Sequence, residues 1–187
     1  MFPSGMSHNF GGTPSCLAND VPFSLWSTMH ARIMPTTSFA IKTSAGAEQA
    51  WKYVRDYGNA IEWDTSVRTV EALEGGDAWE VTLERWPSVH MTYHRDEDTA
   101  PWDGTPRVVR FVATSPDGAV RTEELFTIRS EGDGAVVSYS IRLGMSGWRR
   151  LPCVGAAVWV HLRTETAKAQ ELLAKRLVAA SPACEAV

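Results

Sequence analysis

The chain has 187 residues, 44% of them hydrophobic and 21% charged, and its 18 Lys plus Arg against 22 Asp plus Glu leave a formal net charge of −4. This composition suits one globular domain with a sizeable core, and without a net positive charge nonspecific binding to nucleic acid is not expected. No stretch reaches the roughly 18 apolar residues of a membrane span, and the N-terminus lacks a secretory signal pattern, so a cytoplasmic protein is expected.

Three cysteines, Cys16, Cys153 and Cys184, form no Cys-x-x-Cys pair, which argues against a disulfide framework. Eight tryptophans spread along the chain suggest large apolar faces or a lined cavity. Residues 1–35 hold only two formally charged side chains, Asp20 and Arg32, and show neither helical nor strand periodicity. They are read as a disordered extension or a mis-called start, with Met29 and Met34 as alternative first residues, ahead of a domain over residues 36–181 and a short tail over 182–187.

From Ser38, Phe39, Ile41 and Thr43 alternate with Ala40, Lys42 and Ser44, the period of a strand. Ala50, Trp51, Val54 and Tyr57 then recur at helical spacing, Gly58-Asn59 stops that helix, and a second short helical turn carries Ala60 to Trp63. Period two returns in Val67 to Leu73, Ala78 to Trp86 and the run from Val89 to Tyr93. The acidic stretch Asp96 to Pro106 is read as a loop. Strands follow over Arg107 to Thr114, Val120 to Ser130 and Ala135 to Leu143, separated by the turn sequences Ser115-Pro116-Asp117-Gly118 and Glu131-Gly132-Asp133-Gly134. From about Val154 to Ala180 one long helix is expected, with Val158, Leu162, Thr166, Ala169, Leu173 and Leu177 along its apolar stripe.

Strand, two short helices, about six further antiparallel strands and a long helix make an α+β layout. A curved antiparallel sheet of six to seven strands cannot hold every strand against one helix, so a concave apolar space between them is expected, of the kind that takes small molecules. The segments Ser38-Phe39-Ala40-Ile41, Ala47 to Asp56 and Asn59-Ala60-Ile61-Glu62-Trp63-Asp64 resemble the opening of the helix-grip SRPBCC superfamily, which includes START-like and polyketide cyclase/dehydrase-like proteins. The turn Gly132-Asp133-Gly134-Ala135 ahead of the last strand is similar too, with Gly134-Ala135 where that superfamily often has Gly-Thr. The resemblance implies a helix-grip fold over about Ser38 to Ala180. It further implies that Trp63 lines or closes a pocket, or else serves packing, while Asp64 caps the next turn.

Strand parity turns Trp79, Val81, Leu83, Met91, Tyr93, Phe111, Phe126 and Tyr139 toward the concavity, and Val158 and Leu162 face it from the helix. Each tyrosine is either a core residue with a satisfied hydroxyl or a ligand contact. Glu124 shares the inward face unless it lies with Thr122 at the rim, or the parity is reversed and Glu123 takes its place. An inward carboxylate is costly unless paired, so Glu124 is the sharpest candidate. As acid/base groups the candidates are Glu124, Tyr93 and the pair His161 and Glu165, one helical turn apart, although a structural pairing explains the last two better.

No metal or cofactor is expected: His90 and His94 on one strand face stand about 13 Å apart, and no phosphate-binding glycine motif occurs. Cys153 beside Pro152 is read as inert or mildly activated by the helix start, and Trp148 with Arg149-Arg150 as solvated or as binding an acidic group. The leading expectation is a carrier or sensor of a hydrophobic small molecule such as a lipid, polyketide or aromatic compound, acting as a monomer or homodimer. An aromatase/cyclase- or dehydratase-like enzyme and an interaction module with a filled cavity are the alternatives.

Overall fold

The computed structural model describes residues 35–84, 89–99, 105–147 and 152–180. Strand β1 (Thr36–Thr43) leads into helix α1 (Ala47–Arg55), a 3-10 turn (Tyr57–Asn59) and the short helix α2 (Ala60–Trp63). Six strands follow, β2 (Val67–Ala72), β3 (Ala78–Leu83), β4 (His90–Asp98), β5 (Arg107–Thr114), β6 (Val120–Glu131) and β7 (Gly134–Met145), and helix α3 (Pro152–Ala180) ends the domain. The seven strands form one antiparallel sheet in the order β1-β7-β6-β5-β4-β3-β2, curled into a half-barrel. The expected α+β helix-grip architecture is therefore present.

Local chemistry sets the element ends. α1 buries Ala47, Ala50 and Val54, spaced three and four apart, on the sheet side. It stops at Asp56, whose carboxylate accepts from Gly58 N at 2.9 Å and starts the 3-10 turn. α2 stops at Asp64, whose Oδ1 accepts from Ser66 N and Ser66 Oγ at 2.9 and 2.7 Å, as expected for a turn cap. In the β2–β3 connection Gly75 and Gly76 take φ of 101° and 75°, a conformation in which other side chains are strained.

The start of one expected loop is strand. β4 continues to Asp98, through the first residues of the acidic stretch, because a register shift between Arg95 and Glu97 absorbs an extra residue and lets Asp98 pair with Val109. The acidic side chains gain partners there: Arg110 pairs with Asp96 at 3.3 Å and with Glu97 at 2.5 Å. Asp98 accepts from Trp51 Nε1 at 3.0 Å and from Arg55 Nε at 2.6 Å. The guanidinium groups of Arg55 and Arg107 lie over the Trp51 ring, 5.0 and 4.1 Å from its centroid, and with the Asp98 contacts they tie α1 to β4 and β5.

The long helix is used in two ways. Ala169, Leu173 and Leu177 in its C-terminal half join the main core, with Ile128, Val137 and Ile41 from the sheet. Val158 is buried and Leu162 half-buried in the N-terminal half, but neither belongs to that cluster. The sheet curls away from this half, and the separation makes the cavity.

Candidate functional site

A cavity of about 90 Å³ lies between the sheet and the N-terminal half of α3. Its apolar wall comes from Leu83, Val89 and Met91 on one side of the sheet and from Val120, Ile141, Leu143 and Met145 on the other. Val158 and Leu162 close it from the helix. The polar groups that reach it are Tyr93, Thr122 and Glu124 from the sheet, Asp64 and Ser66 after α2, and His161 and Glu165 from α3. A dry cavity of about 150 Å³ accommodates benzene, so a ligand larger than one small ring must extend out of this space or displace part of its wall.

Glu124 is 1% exposed, which settles the parity on β6. Its neighbour Glu123 turns to the opposite face and meets Arg110 at 3.5 Å. Glu124 Oε1 accepts from Tyr57 Oη at 3.0 Å and from Tyr93 Oη at 3.1 Å, while Oε2 accepts from Tyr139 Oη at 3.0 Å. These three hydrogen bonds favour the ionised carboxylate, but removal from water disfavours it more strongly, and the nearby Asp64 charge adds to that. The Glu124 carboxyl is pushed up to about 7. Burial, followed by the field of Glu124, holds all three phenols well above the usual tyrosine range.

A second polar group surrounds Asp64, on the cavity side of α2. Burial raises the Asp64 carboxyl, the hydrogen bonds from Ser66 oppose the rise, Glu165 adds to it and His161 counters it. Glu165 is buried and accepts from Thr65 Oγ1 and from Lys168 Nζ, the latter at 3.1 Å. Thr122 Oγ1 is buried beside Tyr93.

The residues expected at the site divide into two groups. Leu83, Met91, Tyr93, Glu124, Val158 and Leu162 line the cavity, and so do His161 and Glu165. Trp63, Trp79, Val81, Phe111, Phe126 and Tyr139 face the same way but pack as core outside the lining. Their rings occupy one another's space: Trp63 meets Phe126 edge-on at 5.8 Å, Trp79 meets Phe111 at 5.7 Å, and Phe126 lies 4.8 Å from Tyr139.

The other residues of the lining follow the same alternation. Val120 and Thr122 lie four and two positions before Glu124, and Ile141, Leu143 and Met145 continue the parity of Tyr139. Tyr57 had no such signal, because it falls in a 3-10 turn and reaches Glu124 across the core, stacked on Tyr93 at 4.1 Å.

Among the described residues no group of three or more His, Cys, Asp or Glu side chains could hold a metal ion. Cys153 is exposed. Trp148, Arg149 and Arg150 lie outside the described residues, as do residues 1–34 of the expected extension, residues 85–86 of the expected third strand and the expected tail. No helix among the described residues is long and apolar enough to cross a membrane.

Comparison with known proteins agrees with this architecture. Residues 34–180 match the model of a family described as polyketide cyclase/dehydrase and lipid transport. The fold is similar to that of the ZhuI aromatase/cyclase from Streptomyces sp. R1128, with a TM-score of 0.62 and 14% identity over 83% of this chain and 100% of that one. It is similar also to a STAR-related lipid transfer protein from Xanthomonas axonopodis, with a TM-score of 0.56 and 21% identity over 76% of this chain and 85% of that one. A protein from Thermus thermophilus aligns with a TM-score of 0.59 and 17% identity over 79% of this chain and all of its own. No curated protein matches by sequence.

Proposed function

We propose that this chain, which belongs to the polyketide cyclase/dehydrase and lipid transport family of the START-like SRPBCC superfamily, binds a hydrophobic small molecule between its curved sheet and its C-terminal helix. The observation that carries the reading is the cavity itself, with apolar walls from β3, β4, β6, β7 and α3 around an enclosed carboxyl group. Apolar burial supplies the affinity at about 25 cal/mol per Å², less the cost of ordering the complex. Glu124, Tyr93 and Thr122 orient the polar end of the guest. In this reading the protein is cytoplasmic, a monomer or homodimer, and works without nucleic acid.

Native mass spectrometry of the purified full chain, followed by organic extraction, tests the reading together with titration by the neutral dye Nile red. A stoichiometric hydrophobic molecule, or saturable dye binding that such molecules displace, is the expected result. An empty protein that binds neither the dye nor a panel of lipids and aromatics overturns it in favour of an interaction module.

A second reading, an enzyme of the cyclase or dehydratase type, draws on one observation. A carboxyl group poised near 7 stands in a cavity that also holds Asp64, His161 and Glu165, the setting in which a side chain can both take and give a proton. Here Glu124→Gln abolishes turnover and spares binding of the extracted ligand. Unchanged turnover removes Glu124 from the chemistry.

A further inference from the structure

We propose that the cavity selects apolar molecules whose buried end is a hydrogen-bond donor, an alcohol, phenol or amine, and rejects molecules headed by a carboxylate. The inference rests on the reading of the cavity as a ligand site and deepens it by naming the class of guest.

Counting donors and acceptors in the lining leads there. Three carboxyl groups reach the cavity, those of Asp64, Glu124 and Glu165, and no Lys or Arg does so among the described residues. The hydroxyl donors beside them are already committed: Tyr93 to Glu124, Ser66 to Asp64, and Thr65, behind the wall, to Glu165. A carboxylate offers about four lone-pair sites, and Glu124 receives three hydrogen bonds, so acceptor capacity remains. The Thr122 hydroxyl, 7% exposed and beside Tyr93, adds a further polar group to the lining next to Glu124.

A guest carboxylate would find few uncommitted donors and would face three acidic side chains, Glu165 among them already paired with Lys168. The protein's own carboxyl groups already register that cost. Burial raises both Glu124 and Asp64, with Asp64 adding to the rise at Glu124 and Glu165 adding to the rise at Asp64. A guest anion would meet the same opposition. An alcohol, phenol or ammonium head instead supplies the donor that the lining lacks.

Three probes of equal shape test this on the full chain by isothermal titration calorimetry at pH 8: 4-butylbenzyl alcohol, 4-butylbenzylamine and 4-butylbenzoate. The alcohol and the amine are expected to bind at least about tenfold tighter than the benzoate, the scale of one unfavourable buried polar pairing. The gap should narrow in Glu124→Gln or in Asp64→Asn, whichever variant keeps the wild-type circular dichroism spectrum. Benzoate binding as tight as the alcohol, or a gap unchanged in both variants, overturns the selectivity and leaves the hydrophobic-binding reading standing. If none of the three probes binds and Nile red does not either, both readings fall.

Discussion

Tyr139 Oη donates to Glu124 Oε2 at 3.0 Å across the β6–β7 pair, where Glu124 stands opposite Ile141 and Tyr139 lies one inward-facing position along. The diagonal contact leaves Oε1 for Tyr57 and Tyr93, so three phenols converge on one buried carboxyl. Replacing the acid with an apolar residue of similar size strands three hydroxyls, each costing about 1–3 kcal/mol when unsatisfied. Glu124→Leu is therefore expected to lose on the order of 3 kcal/mol or more at pH 6, and Glu124→Gln, which keeps a carbonyl acceptor, about 1 kcal/mol. Urea unfolding monitored by tryptophan fluorescence measures both. Equal losses would show that the phenols find other partners.

The Glu124 carboxyl also makes stability depend on pH. Its ordinary value is 4.5 and in the folded chain it is about 7, so the folded state holds the proton more tightly than the unfolded state. The stability linked to that proton is fully present below 4.5 and is lost as pH rises through 7, by about 3 kcal/mol in all. Asp64, also raised by burial, acts with the same sign. Subtracting the unfolding free energy of Glu124→Gln from that of wild type at pH 5 and again at pH 8 isolates the Glu124 contribution. The difference should turn against wild type by roughly 2–3 kcal/mol at the higher pH, and a constant difference would mean that the carboxyl is not held in its protonated form.

Periodicity made most of the elements legible. β5 spans Arg107–Thr114 and α2 spans Ala60–Trp63, the ranges read from alternation and from the Gly58-Asn59 stop. The acidic end of β4 was read as a loop because Asp and Glu disfavour strands. The override comes from Arg110 and Arg55, which no local pattern reveals. Parity likewise identifies the inward face, including Glu124 and Tyr93, but not the depth along the half-barrel. Trp79, Phe111 and Phe126 share that face with Met91, yet they meet in the filled part of the core while Met91 borders the cavity. The difference depends on how far the curled sheet departs from α3, a property of the whole sheet.

The β1–β7 edge rests on a close backbone approach at Gly134. A Cβ built there would stand 2.1 Å from the Thr43 carbonyl oxygen, a backbone atom that cannot swing aside. Gly134→Ala is expected to cost about 2 kcal/mol or more, since the strands must separate where β7 begins to pair. Gly46→Ala is the control, because its Cβ would meet nothing within 4 Å. Thermal melts should show Gly134→Ala lower by several degrees and Gly46→Ala close to wild type. Similar melting of the two would mean that the edge tolerates a shift in register.

The two uses of α3 predict that binding and stability can be separated along one helix. Leu177 is fully buried in the core, so Leu177→Ala should cost about 2–5 kcal/mol while leaving the cavity wall intact. Leu162, half-buried, borders the cavity from outside that core, and Leu162→Trp adds an indole next to a space of about 90 Å³. The ring can enter that space without displacing packed side chains, so stability should stay within about 1 kcal/mol of wild type while Nile red affinity falls at least about tenfold. Leu177→Ala, assayed at a temperature where it remains folded, should keep its dye affinity. A Leu162→Trp protein that binds Nile red as wild type does would move the dye site away from the cavity. A Leu177→Ala protein that loses binding while folded would make the seat of the helix part of the site, and would connect the core packing of Leu173 and Leu177 to the shape of a cavity that begins about two turns away along the helix.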